Sequence, residues 1–145
     1  MIVYAESSAV LAWLLGESNE PLVRAALDGA DRVVTSSLTA LECARGLLRA
    51  KLAGRISRMQ ELATLRVLDD AEITWDVHSL NERVVVRARA TLPVEPVRTL
   101  DALHLATALV LQEAIGPLAV LSFDERVRAN AMALGFAVLP PNTIS

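Results

Sequence analysis

Short apolar runs alternate with longer segments of helical periodicity along the whole of this sequence. The runs are too short for helices and are rich in valine, alanine and leucine, as expected of buried strands. They cover residues 2–5, 32–35, 72–77, 118–122 and 136–139. The helical segments cover residues 7–15, 20–28, 36–53, 56–67, 79–91, 100–114 and 124–134. This alternation predicts an α/β fold with a central parallel sheet of four to five strands flanked by helices.

Residues with short polar side chains precede several of these helices. Such side chains accept a hydrogen bond from the first turn of a helix and so mark its beginning. The predicted caps are Ser7 or Ser8, Ser36 or Ser37, Thr99 and Asp124. Gly54 and Gly135 follow two of the helices and are expected to end them.

Nothing in the sequence divides the chain into two parts. It has 145 residues and contains no internal repeat, low-complexity tract or linker rich in glycine, serine and proline. A single cysteine, Cys43, excludes an internal disulfide framework and favours a cytoplasmic location. The longest later apolar stretch, residues 103–111, falls well short of the ~20 residues of a membrane-spanning helix. We therefore expect one soluble domain over residues 1–145.

The overall composition restricts the classes of partner. A formal net charge of −3 argues against a general polyanion binder, which is normally basic. Any activity on nucleic acid must then come from a local site, where a bound cation would reverse the sign of the charge. Apolar residues make up 53% of the chain, more than a small core requires, and this predicts exposed apolar surface for self-association or a partner.

Four carboxylates fall at the ends of predicted strands or in early helical turns. Glu6 follows the first strand, Asp124 follows the strand at 118–122, and Asp101 lies in a first helical turn. The functional crevice of an open α/β sheet lies beyond the carboxyl ends of its strands, so these acids can meet there. Each of them alone is equally well explained as a helix cap or dipole partner. Glu42 is harder to explain in that way, because it lies among residues that look buried and a buried carboxylate requires a partner or a metal.

Four blocks of the sequence resemble, in order, the motifs of PIN domains of the VapC type. The blocks are YAESSAVLAWLL, TSSLTALECARGLL, RTLDALHLATAL and SFDERVRANAMALGFAVL, and they cover almost the whole chain. Each block alone is weakly specific, but the four together in this order and spacing are specific. The resemblance implies a single PIN domain over residues 1–145.

The resemblance also implies an activity and its partners. Acids of that family bind Mg²⁺ or Mn²⁺ and activate water to hydrolyse RNA, and the matching positions here are Glu6, Glu42, Asp101 and Asp124. Among them Glu6, Asp101 and Asp124 are the implied metal ligands. The chain would then be a metal-dependent endoribonuclease toxin, a homodimer that a VapB-like antitoxin neutralises by direct binding.

One position departs from the family pattern, because the first acid is normally aspartate and Glu6 is glutamate. The added methylene moves the charge outward by about one carbon–carbon bond, whereas Mg²⁺ tolerates little deviation from ligand distances of about 2.0–2.1 Å. An alternative function is therefore a catalytically weakened PIN-fold protein that binds RNA or a partner without cutting. A haloacid dehalogenase is disfavoured, because Ser7 and Ser8 follow Glu6 in place of that family's second aspartate.

Four further residues lie near these acids in the sequence. Ser7 and Ser122 resemble the hydroxyls that orient ligands or water in PIN sites, although Ser7 is as well explained as a helix cap. Arg45 follows Glu42 by three residues and either forms an ion pair with it or contacts substrate phosphate. His104 follows Asp101 by three residues, and we expect it to be a core residue with its hydrogen bonds satisfied rather than a ligand.

Overall fold

The computed structural model describes residues 1–142 and has a five-stranded sheet at its centre. The strands are β1 (Ile2–Ala5), β2 (Arg32–Ser36), β3 (Asp76–His78), β4 (Leu118–Leu121) and β5 (Ala137–Leu139). Their order across the sheet is β3-β2-β1-β4-β5, and each neighbouring pair is parallel. The predicted α/β class with a parallel sheet is confirmed.

Helices precede, separate and cover these strands. They are α1 (Ser7–Leu14), α2 (Glu20–Asp28), α3 (Ser37–Leu52), α4 (Arg58–Thr74), α5 (Glu82–Ala88), α6 (Thr99–Ile115) and α7 (Glu125–Ala133). The side chain of Ser36 accepts a hydrogen bond from the Leu38 amide and begins α3, and Asp124 caps α7 in the same way, as predicted. Among the helices within residues 1–142, none combines the length and apolar character needed to cross a membrane.

Several predicted boundaries and caps are wrong. The segment predicted as a strand at 72–77 continues α4 to Thr74, because Leu68 and Ala71 keep the helical spacing toward the interior, and only residues 76–78 pair with β2. The helix predicted over 79–91 begins at Glu82, because the Asn81 side chain caps it by accepting from the Val84 amide. Neither α1 nor α6 has a side-chain cap: Glu6 and Arg98 occupy the cap positions, so Ser7, Ser8 and Thr99 do not cap.

The core lies on both faces of the sheet because side chains alternate along each strand. In β1, Tyr4 faces the cluster built with Leu105 of α6, whereas Val3 and Ala5 face clusters built with the helices on the other side. On that second side Trp13 packs against Trp75 with ring centroids 6.1 Å apart. Strand β1 is thus covered on both faces and flanked by β2 and β4 on both edges.

Candidate functional site

The carboxyl ends of β1 and β4 form the edge at which the acids gather. The two strands run side by side from the Ile2–Leu118 pair to the Ala5–Leu121 pair, and the Glu6 amide then donates to the Leu121 carbonyl at 3.0 Å. The chain crosses from β1 to β2 on one side and returns to β4 on the other. This is the topological switch point, at which open α/β sheets form their binding crevice.

Glu6 is held in place by two serine hydroxyls. Its side chain is buried, with 4% of its surface exposed, and its Oε2 accepts hydrogen bonds from Ser8 and from Ser122 at 2.6 Å. The Ser8 oxygen in turn accepts from the Phe123 amide at 2.9 Å, so that the residues following β1 and β4 are joined. Ser122 thus contacts one of the four acids directly, and its role as a ligand-orienting hydroxyl stays a prediction.

Glu42 reaches the site from α3 and is bound through one oxygen. Its Oε1 accepts from the Ser7 hydroxyl at 2.7 Å and lies 2.5 Å from His104 Nε2. Partial burial would raise the pKa of the Glu42 carboxyl, but the bonds from His104 and Ser7 outweigh it and lower that pKa below its usual value. Glu42 is thus ionised at neutral pH and fixed in orientation.

His104 is a core residue, as expected, but its partners belong to the acid site. The imidazole is 1% exposed, and its Nδ1 lies 2.7 Å from the Tyr4 hydroxyl. Its Nε2 is also 3.0 Å from Ser7 Oγ, in addition to its contact with Glu42. The spacing after Asp101 in α6 hinted at proximity to the site, but the sequence could not show that His104 contacts Glu42.

Asp101 and Asp124 are half-buried, as Glu42 is, whereas Glu6 is buried. Asp124 Oδ1 accepts from the amides of Arg126 and Val127, both at 2.9 Å. The Asp101 side chain forms no hydrogen bond with any other described residue, and partial burial together with the charges of Asp124 and Glu6 raises its pKa to about 6. After burial, the charges of Asp124, Glu6 and Glu42 all contribute to this raised pKa, as expected of neighbouring acids, and the Ser122 hydroxyl contacts both the Glu6 carboxylate and the Asp124 amide. The structure therefore brings all four predicted acids to one edge of the sheet.

The donor set suits a hard divalent cation. Protein groups donate hydrogen bonds to one carboxylate oxygen of each of three acids, Glu6, Glu42 and Asp124. The second oxygen of each carboxylate accepts no hydrogen bond from a residue within 1–142. No three acidic, histidine or cysteine side chains in that range form a preformed metal cage. Mg²⁺ does not need one, because it commonly binds one or two carboxylates and keeps several waters. Accessible oxygens and unneutralised charge thus fit Mg²⁺ or Mn²⁺.

A cleft opens beside Asp101 and Asp124. Its volume is about 750 Å³, and it is lined by Asp101, Asp124, Glu125, Arg98, Arg126, Pro96, Val97 and Phe123. Arg98 and Arg126 are exposed, and neither forms an ion pair within the described residues. Neither arginine was predicted as a site residue from the sequence, although each lies within three positions of an acid that lines the cleft. Negative and positive side chains therefore share one cleft.

Arg45 does not form the ion pair that its spacing suggested. It is exposed on α3 and has no ion pair in the part of the chain that the structure describes. Arg49, one turn further along, is the arginine whose charge helps to lower the pKa of the Glu42 carboxyl. One helical turn separates the two residues, and sequence spacing alone cannot decide which of them faces the acid.

Comparisons with known proteins agree with this geometry. The PIN domain family model matches residues 3–132. Ribonuclease VapC46 of Mycobacterium tuberculosis is 34% identical over 140 residues, covering 97% of this chain and 98% of that protein. Ribonuclease VapC35 of the same species is 30% identical over 142 residues, covering 97% of each chain.

Solved structures at low sequence identity share the fold. The crystal structure of Mycobacterium tuberculosis VapC20, described as a sarcin-ricin loop cleaving toxin, has a TM-score of 0.63 at 15% identity and covers 93% of this chain and 96% of its own. FitAB bound to an IR36 DNA fragment has a TM-score of 0.64 at 17% identity, covering 95% of this chain and 93% of its own. With the family match and the VapC relatives, these findings show that the chain belongs to the PIN-domain family and to its VapC group.

Proposed function

We propose that this chain is a metal-dependent endoribonuclease toxin that hydrolyses RNA phosphodiester bonds. The observation that carries the proposal is the gathering of Glu6, Glu42, Asp101 and Asp124 at the switch point of the sheet, beside an open cleft. The chain's VapC relatives are named ribonucleases, and VapC20 is described as a toxin that cleaves the sarcin-ricin loop. Both facts support RNA as the substrate.

The residues have separate tasks in this proposal. Glu6, Asp101 and Asp124 would hold Mg²⁺ or Mn²⁺, which when bound supplies a water of lowered pKa and positive charge opposite the phosphate. Ser8 and Ser122 keep Glu6 in one orientation, and Ser7 does the same for Glu42. Attack by water breaks the bond from phosphorus to the 3′ oxygen, which leaves as a hydroxyl, and the phosphate stays on the 5′ end.

Arg98 and Arg126 are suited to bind the substrate backbone. Their guanidinium groups lie in the same cleft as Asp101 and Asp124 and are not used by ion pairs within the described residues. Arginine binds phosphate through paired N–H donors, which suits contacts to phosphates on either side of the cleaved bond. This local positive charge would allow a protein with a net charge of −3 to bind RNA.

Regulation by a partner belongs to the same proposal. The resemblance to VapC-type toxins implies a VapB-like antitoxin as a partner. This chain has large apolar side chains on its surface that could form such contacts. Among them Leu52, Met59 and Ile73 are 75%, 81% and 82% exposed. We propose that a cognate antitoxin neutralises the chain by direct binding and that the free toxin is a homodimer.

The test is RNA cleavage by the purified, partner-free chain. Single-stranded and structured RNAs are incubated with Mn²⁺, with Mg²⁺ and with excess chelator, beside the Asp101→Asn variant prepared in the same way. We expect cleavage that needs the metal, disappears in the variant and leaves 5′-phosphate ends. Cleavage that survives chelation, or that the variant retains, would contradict the proposal.

A second function, binding without cleavage, is favoured by one observation. Glu6 is longer than the usual aspartate and has Oε2 committed to two serines, and no preformed three-ligand cage exists within residues 1–142. A protein of this kind would bind RNA with Mn²⁺ present and leave it intact. Binding measured by fluorescence anisotropy, beside the cleavage assay on the same preparation, separates the two functions.

A further inference from the structure

A buried chain of hydrogen bonds runs from the core to the acid site. The Tyr4 hydroxyl contacts His104 Nδ1 at 2.7 Å, and His104 Nε2 contacts Glu42 Oε1 at 2.5 Å. Tyr4 and His104 are each 1% exposed, whereas the Glu42 side chain is 26% exposed. The chain therefore joins a strand in the centre of the sheet to a carboxylate at the surface.

The chemistry of the groups fixes where the protons lie. An ionised carboxylate only accepts hydrogen bonds, so the hydrogen between His104 and Glu42 must be on Nε2. Burial, followed by the charge of Glu6, raises the pKa of the Tyr4 phenol well above its usual value, so the phenol keeps its proton. The Tyr4 hydroxyl can then donate to Nδ1, while Nε2–H donates to Glu42.

We propose that His104 is a positioning residue, which holds Glu42 Oε1 so that Oε2 stays available as a metal ligand in addition to Glu6, Asp101 and Asp124. This inference rests on the proposed function. Ser7 is the second donor to Oε1, and no described residue donates to Oε2. The two donors come from α1 and α6, while Glu42 belongs to α3, so that three helices fix one carboxylate. A carboxylate with that many anchors cannot rotate freely.

A purely structural role would not need this arrangement. A buried imidazole requires hydrogen-bond partners, but any core hydroxyl or carbonyl can supply them. His104 instead directs Nε2–H to a partly exposed acid whose charge contributes to the raised pKa of Asp101. Hydrogen bonds behind metal-site ligands typically change metal affinity or activity by about 10–100-fold. Glu42 is thus the residue through which His104 acts on the site.

Two polar replacements of His104 separate positioning from packing. In His104→Gln the amide nitrogen reaches about as far as Nε2 and can still donate to Glu42. In His104→Asn the amide stops near the position of Nδ1, where it can contact only Tyr4. Leu105→Val, on the same helix, serves as the packing control because Leu105 is buried but contacts none of the acids through hydrogen bonds. Stability of each variant is measured by thermal unfolding.

The readouts are Mn²⁺ affinity by calorimetry without RNA, and kcat and KM for RNA cleavage. We expect His104→Asn to lower Mn²⁺ affinity and kcat by about 10–100-fold with KM unchanged, and His104→Gln to recover most of both. Leu105→Val should lower the melting temperature alone. The Mn²⁺ affinity tests the role of His104 even if the unaltered protein does not cut RNA. Absence of cleavage by the unaltered protein would refute the proposed function, and it is a separate result.

Two results would overturn the positioning role. One is that the glutamine and asparagine variants behave alike, either both as wild type or both impaired. The other applies if His104→Asn does not fold: a folded His104→Gln variant whose Mn²⁺ affinity falls by more than about 10-fold would show that the donor to Glu42 is not what matters.

Discussion

Asp101 is the one acid of the cluster whose side chain accepts no hydrogen bond from the residues that the structure describes. Its side chain forms no hydrogen bond within residues 1–142, and burial with the charges of Asp124 and Glu6 raises its pKa to about 6. We expect Asp101→Asn to abolish RNA cleavage and to stabilise the metal-free fold by about 0.5–1 kcal/mol after solvent screening. Cleavage assays and thermal unfolding in chelator measure the two effects, and an unfolded or fully active variant would contradict the role of Asp101.

The raised pKa of Asp101 also predicts how metal-free stability depends on pH. Between about pH 4 and pH 6 the folded state binds more protons at Asp101 than the unfolded state does, so this group's contribution to stability falls as pH rises through that window. Asp101→Asn should lack the contribution. Urea unfolding of both proteins in chelator at pH 4.5 and pH 7, pH values chosen to bracket about pH 6, gives the comparison; an equal pH dependence in both would exclude Asp101 as its source.

Shortening Glu6 to aspartate tests whether the longer glutamate side chain impairs the site. Ser8 is two residues away and can follow a shortened side chain, which would bring the charge closer to the position that aspartate normally takes. We expect Glu6→Asp to increase Mn²⁺ affinity and cleavage, within the about 100-fold that a 1 Å displacement can cost. If the variant instead loses affinity together with the Ser122 hydrogen bond, the local structure is adapted to glutamate.

At the scale of residues, the sequence predicted which acids meet but not what holds them. Each acid followed a strand or lay in an early helical turn, and that position is readable from local pattern. The hydrogen bonds to Glu6 and Glu42 come from residues up to 116 positions away, and they depend on how helices pack. All four acids could therefore be proposed from the sequence, whereas the contacts of Ser8 and His104 could not.

The loop before α6 is the element that shapes one wall of the cleft, and a single buried side chain fastens it. Asn130 of α7 accepts from the Val94 amide at 2.9 Å and donates to the Val94 carbonyl at 3.0 Å. We expect Asn130→Ala to leave both Val94 groups without partners and to destabilise the protein by about 2–3 kcal/mol, with a higher KM for RNA. Urea unfolding and cleavage kinetics measure both.

Asn81→Ala is the matched control for that loop. It removes an asparagine side chain that accepts only from the Val84 amide at the start of α5, and the expected cost is about 1 kcal/mol. Its KM should stay unchanged, because Asn81 does not belong to the cleft. Equal costs for the two asparagine variants, or an unchanged KM in Asn130→Ala, would show that the Val94 contacts do not hold the cleft wall.

At the scale of elements, the sequence located the helices and strands better than their ends. The start of α3 was predictable because Ser36 caps it, and the hydrogen bond is local. The end of α4 was not predictable from the sequence, because Ile73 and Thr74 have a high strand propensity. The packing of Leu68 against the core stabilises the helix through these residues instead. Tertiary packing therefore decided the boundary, and Ile73 became an exposed helical residue.

Several large apolar side chains of this protein lie on its surface rather than in its core. Met59 and Ile73 on α4 are 81% and 82% exposed, and Val86 on α5 is 58% exposed. We expect the isolated chain to be a homodimer in light scattering at micromolar concentration, and Met59→Glu combined with Ile73→Glu to weaken association if α4 forms the interface. A monomer for the unaltered chain at all concentrations tested would contradict the homodimer.

The central position of β1 has a consequence for the protein while it is being made. Strand β1 is synthesised before the other four strands of the sheet, yet its neighbour β4 begins at Leu118, and Ser122, which contacts Glu6, comes later still. A growing chain thus has an incomplete acid cluster for most of its synthesis. The proposed ribonuclease would remain harmless beside the messenger and ribosome that produce it, and it would become active only after β4, Ser122 and Asp124 have emerged.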